Sequence, residues 1–243
     1  MMKYPYDLHN HSCLSPCADD DNTPNNIVGM AYLCGLKIMA LTDHNTTKNC
    51  PAFFEAAKKY GIIPVAGMEL TTSEDIHVVC LFEELESAMK FDEYISTRRV
   101  LIKNRKDIFG NQLILNGEDE VIGEDEYLLP NATTVSLDEA PELVKSYGGI
   151  CYPAHIDRDS NGIIAILGTL PPTPNFCCVE MRSRDKIDEY TKKYGLSDKV
   201  IVVNSDAHYL TDIIESDVFF ELDADPDSPC EVRRELFKLL NKI

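Results

Sequence analysis

Five of the six histidines in this chain, His9, His11, His44, His155 and His208, stand at or just past the end of a short apolar run. The sixth, His77, stands near the start of one. The apolar runs alternate with amphipathic segments of helical period, and repeated strand–helix units imply a parallel sheet, closed or open. In a parallel barrel, ligand-handling groups collect at the carboxyl ends of many strands. In an open doubly wound sheet they gather at one switch point. Histidines at almost every strand end therefore favour the barrel. The strands read as 4–9, 38–41, 62–66, 76–82, 150–153, 177–181 and 200–203, with 218–222 as a further candidate. That predicts a barrel of about seven strands, and 243 residues suit one such domain.

Helix signals fill the gaps. Thr23 followed by Pro24 is a start signal, and Gly35 ends that segment. A helix over 51–60 closes at Gly61, and one over 185–194 closes at Gly195. Ser136 and Glu139 have the spacing of a capping box, 161–167 reads as a short helix, and 229–242 as the terminal one. Residues 83–135 interrupt the alternation and read as an insertion within a single domain spanning 1–243. Within it, 85–107 reads as one or two helices, and 112–115 with 121–122 as a small hairpin. The basic cluster Arg98, Arg99, Lys103, Arg105 and Lys106 reads as a solvated face, with contact to a substrate phosphate as the alternative.

The formal charge of −18 makes a long nucleic acid an unexpected partner, because such partners need basic tracks along the phosphates. A small anionic substrate is compatible with that charge if bound cations offset it locally. No run approaches a membrane span, and Met1-Met2-Lys3-Tyr4-Pro5 carries no apolar leader. Nine cysteines without a C-x-x-C pair read as reduced thiols of a cytoplasmic protein.

His9 and His11 are spaced so that a strand turns both imidazoles to one face. Asp206 and His208 repeat that spacing. Adding His44, Glu69, His77 and His155 gives six imidazoles and two carboxylates, too many for one four-coordinate ion and suited to two or three. Glu69 can bridge, since its two oxygens can serve two ions. Mixed nitrogen and oxygen donors accept zinc, manganese or iron. Such a cluster polarises a phosphoryl oxygen and lowers the pKa of bound water, so metal-assisted hydrolysis of a phosphate ester is the expected reaction. There is no G-x-x-x-x-G-K-[ST] loop and no G-x-S-x-G elbow. A phosphate also calls for a cation of fixed geometry. Arg182 at the end of its strand and Arg158 after His155 are the candidates, with Arg184 weaker.

Asp7-Leu8-His9-Asn10-His11-Ser12, Thr42-Asp43-His44-Asn45-Thr46, Gly67-Met68-Glu69 with His77, Pro153-Ala154-His155 and Asn204-Ser205-Asp206-Ala207-His208 occur in an order that resembles the polymerase and histidinol phosphatase (PHP) family. The resemblance implies a distorted (β/α)7 barrel, a trinuclear metal site and phosphoesterase activity. It would put His9, His11, Glu69 and Asp206 on one ion. His44 and His208 would hold a second with a residue from the loop after His11, and Glu69, His77 and His155 a third. The matching loop position here is Cys17, with Asp19, Asp20 and Asp21 close behind. Either the thiolate is the ligand, or one of those aspartates replaces it, or that ion is weakly held; a merely buried or capping cysteine is the bland alternative. Asp43 reads as an orienter of the ligands or a proton acceptor rather than a ligand. The expected substrate is a small phosphorylated metabolite or nucleotide. Alternatives are a nuclease or 3′,5′-bisphosphate hydrolase, a histidinol-phosphate phosphatase, a protein-tyrosine phosphatase, and a non-catalytic metal-binding module.

Overall fold

The structure, a computed structural model, describes every residue except 214, 216 and 243. Strand β1 (Met2–Asp7) leads through a turn-rich loop to helix α1 (Pro24–Leu33). There Thr23 caps the helix by accepting the Asn26 N–H, and Pro24 occupies the first turn. Strand β2 (Ile38–Leu41) and helix α2 (Cys50–Tyr60) follow, the helix ended by Gly61 at φ 67°. Strand β3 (Ile63–Thr71) is wholly buried and runs on through Glu69; β4 (His77–Phe82) returns beside it.

Helix α3 (Leu85–Ser96) sends Phe91 and Ile95 into the core. The segment expected as an insertion from residue 83 therefore begins with a helix of the barrel's own outer layer, and the excursion proper starts after it. That excursion holds α4 (Lys106–Phe109) and the antiparallel pair β5 (Leu113–Leu115) and β6 (Val121–Glu124). Its basic residues are paired: Arg98 with Glu139, Arg99 with Asp125, Lys103 with Glu126, Arg105 with Asp107 and Lys106 with Glu124. Lys103, Arg105 and Lys106 fit the solvated-face reading, whereas Arg99 departs from it, its side chain buried against Asp125.

The alternation resumes with α5 (Ala140–Ser146), β7 (Gly149–Pro153), α6 (Ile163–Leu167), β8 (Cys178–Met181), α7 (Ile187–Tyr194) and β9 (Val200–Val203). Strand β10 (Phe219–Leu222) and helix α8 (Pro229–Leu240) complete the described chain. Helix α5 starts later than the Ser136 signal. Ser136 Oγ does accept the Glu139 N–H, but the Glu139 side chain turns to Arg98 instead of closing the box. No helix among the described residues is long and apolar enough to cross a membrane.

The main sheet runs β10-β1-β2-β3-β4-β7, and β8 pairs with β9 in parallel. A few backbone bonds close the ring. Ile156 N–H donates to Glu180 O across the β7–β8 gap, and His11 N–H donates to Ala207 O across the β9–β1 gap, where the Ala207 N–H also donates to His9 O. Strands β1, β2, β3, β4, β7, β8 and β9 thus form a distorted (β/α)7 barrel, the fold the sequence predicts. The distortion has a chemical cause at the β1–β9 seam. Asn204 Oδ1 accepts the Leu8 N–H, and the Asp7 carboxylate accepts the Ser205 N–H and hydroxyl, so side chains stand where a backbone ladder would run.

Alternation along the strands separates two apolar layers. Ile38 and Ala40 join the inner cluster while Met39 and Leu41 join the outer helices. Val79 and Leu81 likewise face in while Val78 and Cys80 face out.

The sheet is not wholly parallel, as the repeated units had implied. Strand β4 is antiparallel to both β3 and β7. The turn from Thr71 to His77 is too short for a crossover, so the chain must double back. This reversal places the start of β4 at the rim where the other strands end, with His77 directly opposite Thr71.

Candidate metal centre

Every histidine reaches that rim. Glu69, extended from β3 and 1 % exposed, is the hub. Its Oε1 lies 2.7 Å from His77 Nδ1 and 3.0 Å from His155 Nε2. Its Oε2 lies 3.0 Å from His44 Nδ1 and 3.3 Å from His11 Nε2. Asp206 Oδ1 lies 3.5 Å from His9 Nε2, 3.4 Å from His11 Nε2 and 3.6 Å from His208 Nδ1. His9, His11, Glu69 and Asp206 offer donor atoms mutually within 4.8 Å. So do His11, His44 and His208, and so do His44, Glu69 and His77.

Several features fit cations at these foci. His44 Nδ1, Glu69 Oε2 and Asp206 Oδ1 are buried and meet their neighbours only as charge contacts, without hydrogen-bond geometry, so each has room for a further partner. The ring nitrogens His9 Nε2 and His11 Nε2 face each other at 3.2 Å. Two neutral acceptors do not sit so close unless a proton or a metal ion lies at their shared focus. His155 and Asp206 are held at φ 26° and 53°, backbone values that non-glycine residues adopt where surrounding structure enforces them.

Electrostatics follow the same geometry. Burial works to raise the pKa of Glu69, yet His77, His9 and His44 hold it far below the ordinary carboxylate value. Asp206 is lowered likewise, burial opposing and His9 and His11 prevailing. Burial opposes protonation of His9, but Glu180, Glu69 and Asp206 raise it well above the usual imidazole value. Burial dominates at His77, which is lowered in spite of Glu69.

A layer behind the donors orients them. Glu180 on β8 accepts from His9 Nδ1 at 2.9 Å and from the His155 N–H at 2.9 Å, and its other oxygen accepts from Asn204 Nδ2 at 2.7 Å. With the proton on Nδ1, His9 Nε2 is left free to face the cluster. Asp43, 1 % exposed, has both oxygens engaged: Oδ1 accepts the Ser12 N–H at 2.8 Å and the Ser15 hydroxyl at 2.7 Å, and Oδ2 accepts the Ser12 hydroxyl at 2.6 Å. Ser15 Oγ in turn lies 3.0 Å from His11 Nδ1. Asp43 is thus linked to His11 through Ser15, with both of its oxygens engaged by Ser12 and Ser15.

Glu180, Ser15 and the Asp7–Ser205 pair went unread in the sequence. The one available signal was a carboxylate inside the apolar run Cys177-Cys178-Val179-Glu180-Met181, where a buried charge demands partners.

In the loop after His11, Cys17 lines the same cavity as His44 and His208, but it is exposed and joins none of the donor groups among the described residues. Desolvation opposes ionisation of its thiol, but the charge of His44 and the nearness of His208 bring its pKa down to about 5. Asp19 Oδ1 accepts the Asp21 N–H, Asp20 accepts from Asn111, and none of the three joins a donor group among the described residues.

Of the arginines, Arg158 Nη1 donates to Asp206 Oδ2 at 2.8 Å, and Arg182 Nη1 lies 3.9 Å from the same oxygen. Both are partly exposed at the cavity rim, where Lys186 joins them. Arg184 pairs with Asp217 on the surface.

A family model described as the PHP domain matches residues 7–148. The chain is 32 % identical over 116 residues to a 5′-3′ exoribonuclease of Haemophilus influenzae, a stretch covering 46 % of this chain and 40 % of that protein. Among solved structures it resembles the lesion-specific endonuclease Q of Pyrococcus furiosus, with a TM-score of 0.67 at 17 % identity over 100 % of this chain and 56 % of that one. It also resembles a protein of Bifidobacterium adolescentis assigned as a metal-dependent phosphoesterase, with a TM-score of 0.57 at 18 % identity over 96 % of each chain. The chain thus spans 40 % of the exoribonuclease and 56 % of the endonuclease.

Proposed function

The chain belongs to the PHP domain family of metal-dependent phosphoesterases, and on that premise we propose that it hydrolyses a phosphate ester at the rim where its histidines meet. The observation that carries the reading is Glu69, whose two oxygens together face five imidazoles inside a buried shell, Oε1 those of His9, His77 and His155 and Oε2 those of His11 and His44. His9, His11, Glu69 and Asp206 would hold one divalent ion. His44 and His208 with Cys17 would hold a second, and Glu69, His77 and His155 a third. Zinc, manganese or iron suits these donors. Bound there, the ions would supply polarisation of the phosphoryl oxygen and acidification of water. The chain's own share is positional. Glu180 and the Asp43–Ser15 pair fix ring orientation, and Arg158 and Arg182 offer N–H groups to the non-bridging oxygens of the phosphate.

Two substrate classes fit. One is a small phosphorylated metabolite or nucleotide, consistent with the charge of −18. The other is the end of a nucleic acid, for which the likeness to an exoribonuclease speaks and against which the acidic surface speaks. That likeness argues against the charge-based expectation that long nucleic acid is no partner. Arg158, Arg182 and Lys186 together line one hollow beside Asp206 and could take the phosphate nearest a strand end.

The test is phosphate or nucleotide release by metal-loaded protein. The panel holds sugar phosphates, nucleoside monophosphates, a 3′,5′-bisphosphate, histidinol phosphate and a short 5′-phosphorylated oligonucleotide, with Asp206→Ala as control. Release that disappears in the control supports the proposal. No release from any compound by protein with verified metal content would sink it.

A further inference from the structure

We infer that Phe109 is a stacking platform selecting phosphate esters whose leaving group carries a nucleobase. This deepens the ester-hydrolysis reading and rests on it. A cavity of about 330 Å³ opens onto the site, lined by Cys17, His44, His208 and Arg158 together with Phe109 and Pro130 from the excursion. That volume lies at the small end of ligand pockets.

Phe109 is 45 % exposed, and no residue of its short helix α4 is buried, so the ring does not serve the core. No aromatic ring stacks on it among the described residues. Its neighbour Ile108 is exposed as well but does not line the cavity. Apolar exposure of the excursion in general is therefore not the argument.

The ring is held in place by its backbone. Gly110 follows at φ 99° and ψ −179°, a conformation open essentially to glycine alone. A Cβ there would fall 2.4 Å from Pro16 O, so the glycine lets α4 press against the loop that carries Cys17. Asn104 Nδ2 donates to Gly110 O, the Leu113 N–H donates to Cys13 O and Asn111 donates to Asp20. The first bond closes the excursion around α4, and the other two join it to that loop just after the ring.

Phe109 and Pro130 give this cavity apolar lining that carries no charge, beside the imidazoles and Arg158. A sugar phosphate has hydroxyls to satisfy and gains nothing from such a lining. A nucleobase gains stacking, which discriminates by roughly tenfold or more and tolerates any base.

The chain has no tryptophan, so Phe109→Trp would give it a sole indole at this position. Its emission, excited where tyrosine is dark, is titrated on metal-loaded protein with adenosine, AMP, ribose and ribose 5-phosphate. Saturable quenching by adenosine and AMP, and none by ribose or ribose 5-phosphate, is expected. In parallel, the ratio of kcat/KM for AMP over ribose 5-phosphate should fall about tenfold in Phe109→Leu, which keeps apolar bulk but loses the flat face, and recover in Phe109→Tyr. No saturable quenching by either base-bearing compound, or an unchanged ratio in Phe109→Leu, would overturn the inference. Quenching without phosphate release from any ester would instead sink the hydrolase reading and leave the role of the ring standing.

Discussion

Glu180→Gln is the substitution that bears most directly on how the metal centre is built. The carboxylate is fully buried and every partner it has is a donor: His9 Nδ1 at 2.9 and 3.1 Å, the His155 N–H at 2.9 Å and Asn204 Nδ2 at 2.7 Å. Glutamine fits the space but keeps only one acceptor oxygen. If its amide nitrogen takes the Oε1 position it faces the His155 N–H, and if it takes the Oε2 position it faces Asn204 Nδ2. Either way a buried donor loses its partner, which destabilises the fold by about 1–3 kcal/mol. For a chain of this size that lowers Tm by roughly 2–10 °C. The second effect is on His9, which loses the charge that fixes its proton on Nδ1 and aims Nε2 at Glu69 and Asp206. Partners of this kind contribute about 10- to 100-fold in metal affinity. Thermal unfolding in chelator would read the first effect, and competition for zinc or manganese against a chromophoric chelator the second. A lower Tm with unchanged metal affinity would refute the argument that Glu180 orients His9, and no change in either would refute the hydrogen-bond network itself.

Three further outcomes are expected. Gly110→Ala should destabilise the excursion by about 1–3 kcal/mol, because of its backbone conformation and the close Pro16 carbonyl, and raise amide exchange over residues 97–130; wild-type exchange there would disprove the clamp. Asp125 accepts from Arg99 inside the excursion and from Lys48 in the loop before α2; burial opposes ionisation but these cations prevail and bring its pKa down to about 2. A depressed carboxyl stabilises the fold above its unfolded pKa of about 4 and loses that contribution as pH falls towards the folded value. Asp125→Asn should therefore destabilise by about 1–2 kcal/mol at neutral pH, allowing for the partial exposure of Lys48, and the gap to wild type in urea unfolding should narrow below about pH 4; a gap independent of pH would contradict the ion-pair account. Finally, cobalt-loaded protein should show a thiolate-to-cobalt absorption band that Cys17→Ser removes, and a wild-type spectrum without that band would exclude Cys17 as a ligand.

Much of the site was legible because metal chemistry restricts residue type and a barrel restricts position. Six imidazoles and two acids at strand ends leave few other readings. What stood behind them was harder to see. Asp43 could be read as an orienter from its place beside His44, but Ser15, its link to His11, is an ordinary loop serine whose role exists only through the fold. Glu180 lies on a strand 171 residues from His9, and nothing local distinguishes it from any strand acid except that its neighbours are apolar. The basic cluster of the excursion gave its reading by composition alone, since each cation found an acid close at hand. Cys17 could be placed near the metals by its position in the motif. The choice between it and Asp19, Asp20 or Asp21 could not be read, because all four lie in one turn-rich loop and only the path of that loop sets which side chain borders the cavity.

His77 shows how far a pattern can mislead about topology and still group a residue with its neighbours in space. In a wholly parallel sheet a histidine at the start of a strand would lie at the amino-terminal rim, remote from the other five. The sequence pattern did not separate a parallel strand from a reversed one, because both are short apolar runs. The length of the connection did: the few residues from Thr71 to His77 permit a hairpin and forbid a helix crossover. Once β4 is reversed, its first residue faces the last residue of β3, and two steps along the inner face of β3 stands Glu69. The 2.7 Å contact between His77 Nδ1 and Glu69 Oε1 then follows from register. The reversed strand is therefore part of the site's construction: it brings a sixth imidazole to the rim, which a parallel strand in the same place would have turned away.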